Sequence, residues 1–394
     1  MHLPLPGRPQ RRESGRGGVL KNCGEPGTVT CFTHGENNEG IPELRAMLRA
    51  ANGVDTGMHR LTEAHVVARD AYQELDRYER EKLLIIAQAR TARSATLTTR
   101  SAALLWGMPI MRDLRERDGV STVELTRPSG TKTSGRDITA AGVSHSRTTI
   151  PAEHITTLDG ISLTRPGRTA ADLARKRSIL EGVMAMDWLL RNARGPELSL
   201  LQECLSLRRI RGIRQARHCF ELCDARAESP LESAARVVLV TGGFPWVRSL
   251  EPQAHVSLGS MNAMADFLIN ERIILEVDGA SKYFGSYGRS TDQELFYERK
   301  REKHLQNAGY LVVRVTAKQI FADCKPLLGH PALRNSRPVL PPARMRRSGP
   351  VYFSDANPPN PSESHQFSSN GMVAILREAD RRLARMGSTV LGRG

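Results

Sequence analysis

Residues 264–279, Met-Ala-Asp-Phe-Leu-Ile-Asn-Glu-Arg-Ile-Ile-Leu-Glu-Val-Asp-Gly, constrain the fold of this chain more than any other stretch. Two apolar runs flank the polar triplet Asn270-Glu271-Arg272, which reads as a three-residue hairpin loop. Antiparallel pairing then sets Ile269 against Ile273, Leu268 against Ile274, Phe267 against Leu275 and Asp266 against Glu276. Side chains alternate between faces along a strand. Phe267, Ile269, Ile273, Leu275 and Val277 therefore share an apolar face, while Asp266, Glu276 and Asp278 gather on the other, at the open end of the hairpin. Leu268 and Ile274 lie on the acidic face near the loop, so both faces are expected to be covered. Directly opposed carboxylates repel, by about 0.2–1 kcal/mol even where exposed. A half-buried pair raises a pKa or recruits a cation. Clustered hard oxygens suit Mg²⁺ or Mn²⁺ rather than zinc, and such an ion polarises a phosphodiester and acidifies a bound water. The same acids could instead pair with Arg or Lys, or be separated by a loop of another length; the pattern alone leaves both open.

The flanking segments complete a block over 228–326. Ser229-Pro-Leu-Glu232 is a capping box that opens a helix running to Gly242-Gly243. Val247 to Leu258 reads as a strand interrupted by Pro252. Thr291-Asp-Gln-Glu294 is a second capping box, and its helix passes Leu305 and stops at Asn307-Ala-Gly309. Tyr310 to Thr316 is an apolar run broken by Arg314. A strand–helix–strand crossover of this length makes the last strand parallel to the one bearing Glu276. Arg299, Lys300, Lys303 and Arg314 could then approach the carboxylates or a phosphate. The alternative is a solvated helix face with Glu298–Arg301 and Arg299–Glu302 pairs. The order is helix, strand, strand, strand, helix, strand.

Charge is unevenly placed along the 394 residues. Of the net +15, residues 41–227 carry +8, residues 228–326 carry zero and residues 327–394 carry +6. A basic surface flanking a neutral block suits a polyanion partner, with solvated tails as the plainer explanation. With 39% hydrophobic and 25% charged residues the chain is globular in composition, which excludes wholesale disorder and rods. No run of about 18 apolar residues exists, so no membrane span is expected. Six cysteines without a C-x-x-C spacing fit a reducing cytoplasm better than a disulfide framework.

Four regions follow: a disordered extension over 1–40, a mostly helical α+β domain over 41–227, the block over 228–326, and a basic Pro-rich tail over 327–394. Helices are expected over Tyr72–Ala92, over Ser101–Trp106 ahead of Gly107, from Thr169, and over Ile179–Leu190. Strands are expected at Val120–Leu125 and Ile161–Thr164. His218, Cys219 and Cys223 could face a metal at helical spacing, although buried helix residues are the plainer reading. Near-helical spacing of Val373, Leu376, Leu383 and Met386 predicts a short basic amphipathic helix that could dock on a partner, with docking on the body of its own chain as the plainer reading.

The block resembles the PD-(D/E)XK nuclease superfamily, in the branch similar to very-short-patch-repair endonucleases. The resemblance rests on SPLESAAR (229–236), ADF (265–267), EVDGASKY (276–283), ERKREKHLQNAGY (298–310) and VVRVT (312–316). It implies a restriction-endonuclease-like αβββαβ core with a mixed sheet. Asp266 would match the metal-binding Asp, Glu276 the first acid of the (D/E)XK element, and Glu232 the acid on the leading helix. Asp278 stands where that family has Lys, so Lys282 or Lys300 would have to take the lysine's place. Upstream, SAALLWGMPI (101–110), TRP (126–128), DGISLTRPGRTAADLAR (159–175) and AMDWLL (185–190) are similar to AbiEi-type antitoxins of type IV toxin–antitoxin systems. That resemblance implies promoter-DNA binding and a cognate toxin; residues 41–60 could keep one helix of the winged helix-turn-helix.

The resulting expectation is a cytoplasmic DNA-binding protein with an Mg²⁺- or Mn²⁺-dependent endonuclease domain. Asp266 and Glu276 would hold the metal, Asp278 would add a ligand or act as base, and Lys282 or Lys300 would contact the scissile phosphate. Lys300, Arg301 and Arg314 would bind nucleic acid, with Glu232 in support. The rival expectation is a non-catalytic antitoxin-like regulator with a degenerate nuclease fold.

Overall fold

The computed structural model describes residues 40–51, 56–92, 95–111, 122–126, 138–139, 142–146, 149–193, 195–242, 244–258, 261–278, 292–322, 351–352 and 371–391. The chain is a mixed α/β structure in which helices pack against mixed sheets.

The N-terminal part begins with helix α1 (Ile41–Ala46) and a small antiparallel sheet of β1 (Arg49–Ala50), β2 (Met58–Arg60) and β3 (His65–Ala68) in the order β1-β3-β2. The expected helix over Tyr72–Ala92 is split into α2 (Arg69–Glu74) and α3 (Arg77–Thr91). The break has a local cause. Asp76 accepts the Glu79 N–H at 2.8 Å and Glu79 accepts the Asp76 N–H at 2.7 Å, a reciprocal cap that holds Asp76 extended and restarts the helix there.

A six-stranded mixed sheet follows, with β4 (Thr96–Leu97), β5 (Val123–Thr126), β6 (Ile138–Thr139), β7 (Val143–Ser146), β8 (Ile155–Leu158) and β9 (Ile161–Thr164) in the order β6-β7-β5-β4-β9-β8. Helix α4 (Thr99–Trp106) ends at Gly107, whose φ of 71° is the left-handed cap that glycine adopts without strain. The Trp106 indole N–H donates to Thr164 O at 2.9 Å and ties that helix to the sheet. Helices α3 and α4 lie on the sheet, and four more pack on one another with α5 against α4: α5 (Pro166–Lys176), α6 (Ile179–Asn192), α7 (Pro196–Ser206) and α8 (Ile213–Leu222).

Helix α9 (Pro230–Thr241) opens the next block. The strands β10 (Ser249–Leu258), β11 (Met261–Ile269) and β12 (Ile273–Asp278) follow, then α10 (Asp292–Asn307) and β13 (Leu311–Thr316). With β14 (Val351–Tyr352) they form a five-stranded sheet in the order β13-β12-β11-β10-β14. β12 and β13 are parallel, pairing Glu276 with Arg314. Pro252 does not interrupt β10: β14 pairs only at Ser249 and Leu250, and beyond it an edge strand can spare one N–H. β14 lies in the stretch that sequence reads as linker; Val-Tyr there is a short strand-forming pair beside an open edge.

One apolar core runs through both halves, from Leu83, Leu105 and Leu180 to Val238, Phe267 and Ile273. At their boundary the buried Arg236 of α9 donates to the buried Asp187 carboxylate of α6 and to Leu222 O. Helix α11 (Met372–Leu391) buries Met372, Val373, Leu376 and Ala379 in this core. Cys219 is fully buried and its thiol donates to Ile179 O at 3.6 Å. Burial pushes both the Cys219 and Cys223 thiols well above the usual range. Among the described residues no three His, Cys, Asp or Glu side chains gather to hold a metal ion, and no helix is long and apolar enough to cross a membrane.

Candidate functional site

The hairpin that carries the acids is set by its turn. Asn270 and Glu271 adopt φ of 52° and 61°, the left-handed region that Asn tolerates best among residues with a Cβ. Asn270 Oδ1 accepts the Arg248 N–H at 2.7 Å, and its amide donates to Trp246 O at 2.7 Å. The turn is thereby pinned to the start of β10. The register follows: Ile269 faces Ile273, Leu268 faces Ile274 and Phe267 faces Leu275. Phe267, Ile269, Ile273 and Leu275 are at most 1% exposed. Ile274 lies in a second, smaller cluster with Leu305 of α10, so this strand pair is covered on both sides.

Three acids lie near the open end of the hairpin without gathering into a metal-ligand cluster, and each is held differently. Asp266 is half-buried and its Oδ2 accepts the Val277 N–H at 2.7 Å. Glu276 is half-buried and its Oε1 accepts from Arg301 Nη2 at 2.9 Å. Arg301 also donates through Nη1 to Met264 O at 3.1 Å. Glu232 is 6% exposed. Only half of its expected capping box forms: the Ser229 hydroxyl accepts the Glu232 N–H at 3.2 Å. The Glu232 carboxylate turns instead to the Glu228 N–H at 2.9 Å and to the Gln253 side-chain amide at 2.8 Å. Gln253 lies in β10 between the pairs Pro252–Phe267 and Ala254–Ala265, opposite Asp266, with φ of 50°.

These carboxylates leave an excess of negative charge. Burial pushes the Asp266 carboxyl up to about 6, and the neighbouring Glu276 and Glu232 charges add to the rise. The Val277 N–H and the Arg301 guanidinium act the other way without cancelling it. Among the described residues, Asp266 has no ion pair of its own. A half-buried acid facing two more acids is a place where a cation gains free energy by binding.

The cations are arranged differently from expectation. Arg301, read as a solvated partner of Glu298 or a nucleic-acid contact, is the base that reaches the acids. The signal was available: Arg301 stands four residues before Leu305, and residues at that spacing share a helix face. Leu305 is 2% exposed against the sheet, so Arg301 must face it too. Arg314 sits beside Glu276 in the strand register, yet its guanidinium bonds Glu302 at 3.2 Å. Arg299, Lys300 and Lys303 are exposed. Asp278 is exposed at the end of β12. Lys282 and the capping box at 291–294 fall on residues outside those described, apart from the backbone of α10 from Asp292. Gln253 escaped sequence reading because nothing local marks a strand glutamine as facing an acid two elements away.

No family model matches the chain, and no solved structure matches it. Two Mycobacterium tuberculosis proteins do, one from strain CDC 1551 / Oshkosh and one from strain H37Rv, both described only as uncharacterized. Each is 26% identical over 163 residues, a stretch that spans 41% of this chain and 58% of the relative.

Proposed function

We infer that the chain is a DNA-binding protein whose five-stranded sheet carries a PD-(D/E)XK-type nuclease site. The observation that carries this reading is the half-buried Asp266 carboxyl, pushed up to about 6 with Glu276 and Glu232 beside it and, among the described residues, no ion pair of its own. The donors are hard oxygens, which fits Mg²⁺ or Mn²⁺. Asp266 and Glu276 would hold such an ion. Bound there, it would polarise a phosphodiester and lower the pKa of a water.

The remaining residues supply position and charge. The Val277 N–H orients Asp266, and Gln253 keeps Glu232 turned toward the sheet. Arg301 neutralises part of the cluster in the free protein and must release Glu276 before that carboxylate can hold an ion fully. Asp278 and Lys300 lie near enough in sequence to serve a scissile phosphate, as Lys282 would. Helix α1 and the hairpin of β2 and β3 would supply a DNA-reading surface of the antitoxin type, with a cognate toxin as protein partner.

The test is a plasmid-nicking assay with Mg²⁺ or Mn²⁺. Wild type is expected to nick supercoiled DNA and Asp266→Ala to lose at least a hundredfold in rate; equal nicking by both would show that the site lies elsewhere. A second reading, an antitoxin-like regulator that binds DNA without cutting it, draws on Asp278 in the lysine position and on the Arg301–Glu276 ion pair. Calorimetry with Mn²⁺ separates the two, since a degenerate site gives no heat dependent on Asp266 and Glu276.

A further inference from the structure

The most concentrated positive charge in the described chain lies far in sequence from the acids, where α7 passes into α8. The stretch Cys204 to Phe220 contains Arg208, Arg209, Arg211, Arg214 and Arg217 and no acidic residue. Arg208, Arg209, Arg211 and Arg214 are all exposed. Among the described residues their side chains make neither an ion pair nor a hydrogen bond. Several other arginines of the same half are paired. Arg100, Arg165, Arg168, Arg175 and Arg177 each hold a carboxylate.

The segment is built rather than loose. Arg217, itself exposed, caps the end of α7, donating to Leu205 O at 2.8 Å and Leu207 O at 3.0 Å. Arg175 Nε donates to Arg211 O at 3.2 Å. Gly212 has φ of 81°, and a Cβ there would meet Arg175 O at 2.1 Å, so the turn is pressed against the backbone of α5. Gln215 donates to Ala174 O at 2.8 Å and to Arg177 O at 2.6 Å. Ile213 is 7% exposed and anchors the first turn of α8. A fixed backbone thus presents four guanidiniums that meet no carboxylate among the described residues. Six residues of chain separate the outermost pair, at most about 21 Å. That is about six phosphate steps along one strand of a duplex.

We propose that Arg208, Arg209, Arg211 and Arg214 form a docking surface for the phosphate backbone of duplex nucleic acid. Guanidiniums bind phosphate in a bidentate fork, and a nucleic-acid backbone offers phosphates at the regular spacing that four guanidiniums on one short segment can follow. The contact carries no base information; it would add sequence-independent affinity. The proposal rests on the DNA-binding reading given above and places one of its contact surfaces.

The test is fluorescence anisotropy on the full chain, in EDTA, with labelled 20-base-pair duplexes of DNA and of RNA over a salt series. Wild type is compared with a variant carrying Arg208→Gln, Arg209→Gln, Arg211→Gln and Arg214→Gln. The variant is expected to lose at least tenfold in affinity near 0.1 M salt. Its slope of log K against log salt should fall in magnitude by about 3 to 4, since each lost phosphate contact on B-DNA contributes about 0.9. A preference for either duplex supports the surface and names its source. Arg217→Gln is the structural contrast: it should lower the melting temperature and leave the slope nearly unchanged. Equal affinity and slope in wild type and the fourfold variant would overturn the surface and leave DNA binding standing. Failure of wild type to bind any duplex would remove both. A loss seen only with labelled polyglutamate would assign the arginines to an acidic protein and overturn the proposal.

Discussion

The buried charges of the helical half and those of the five-stranded sheet are handled in opposite ways. In the helical half each buried acid meets its own base. Glu81 takes Arg100 at 2.8 Å, with both side chains under 10% exposed. Glu197 takes Arg165 at 2.7 Å and the Gly167 N–H at 2.9 Å. Asp172 takes Arg168 at 2.9 Å and Arg175 at 2.7 Å. On the sheet, Arg301 bonds Glu276, and Asp266 beside it has no ion pair of its own among the described residues. A matched pair silences charge and fixes the packing around it. A cluster short of bases keeps a residual field, and that field is what a divalent cation would answer.

The largest effect should come from unmatching a matched pair. Arg100→Ala leaves the Glu81 carboxylate buried beside Met111 O without its bidentate partner, and should cost about 3–5 kcal/mol in urea unfolding. A cost below about 1 kcal/mol would mean that these pairs contribute little more than surface ones, and the contrast would lose its first half.

Arg301→Gln goes the other way, removing the guanidinium that holds Glu276 beside Asp266. It should tighten Mn²⁺ binding about tenfold, some 1.4 kcal/mol, as read by calorimetry. Unchanged or weaker binding would show that Arg301 does not compete for the acids. Stability should fall only slightly, because the ion pair is partly solvated.

The smallest effect is the sharpest in sign. Asp266 holds its proton more tightly in the folded chain, with its carboxyl pushed from 3.8 to about 6. Its contribution to stability is therefore present below pH 4 and lost as the pH rises through about 6. Removing the charge with Asp266→Asn should stabilise the protein at pH 8 by about 1 kcal/mol, after discounting for solvent screening. At pH 4 the two proteins should melt together. A variant less stable at pH 8 would show that the acid is satisfied as it stands.

Much of the sheet was legible in the chain. The Asn270 turn, the pairing of Phe267, Leu268 and Ile269, and the parallel partner of β12 follow from alternation and crossover length. The split between α2 and α3 was written in Asp76 and Glu79, a capping box obscured by the long charged run around it. The helices α7 and α8 and the small sheet of β1, β2 and β3 carry weak or short signals, and two-residue strands such as β14 exist only because a neighbouring edge receives them.

By itself the sequence determined which side chains share a face and set Asp266 and Glu276 at the same end of the hairpin, because strand periodicity is local. Only the tertiary structure decided that Glu232 and Gln253 join them and that Arg301 bonds Glu276. Those contacts depend on how a helix crosses a sheet and on competition among several cations for too many acids, and such competition is resolved by three-dimensional distance rather than by position along the chain.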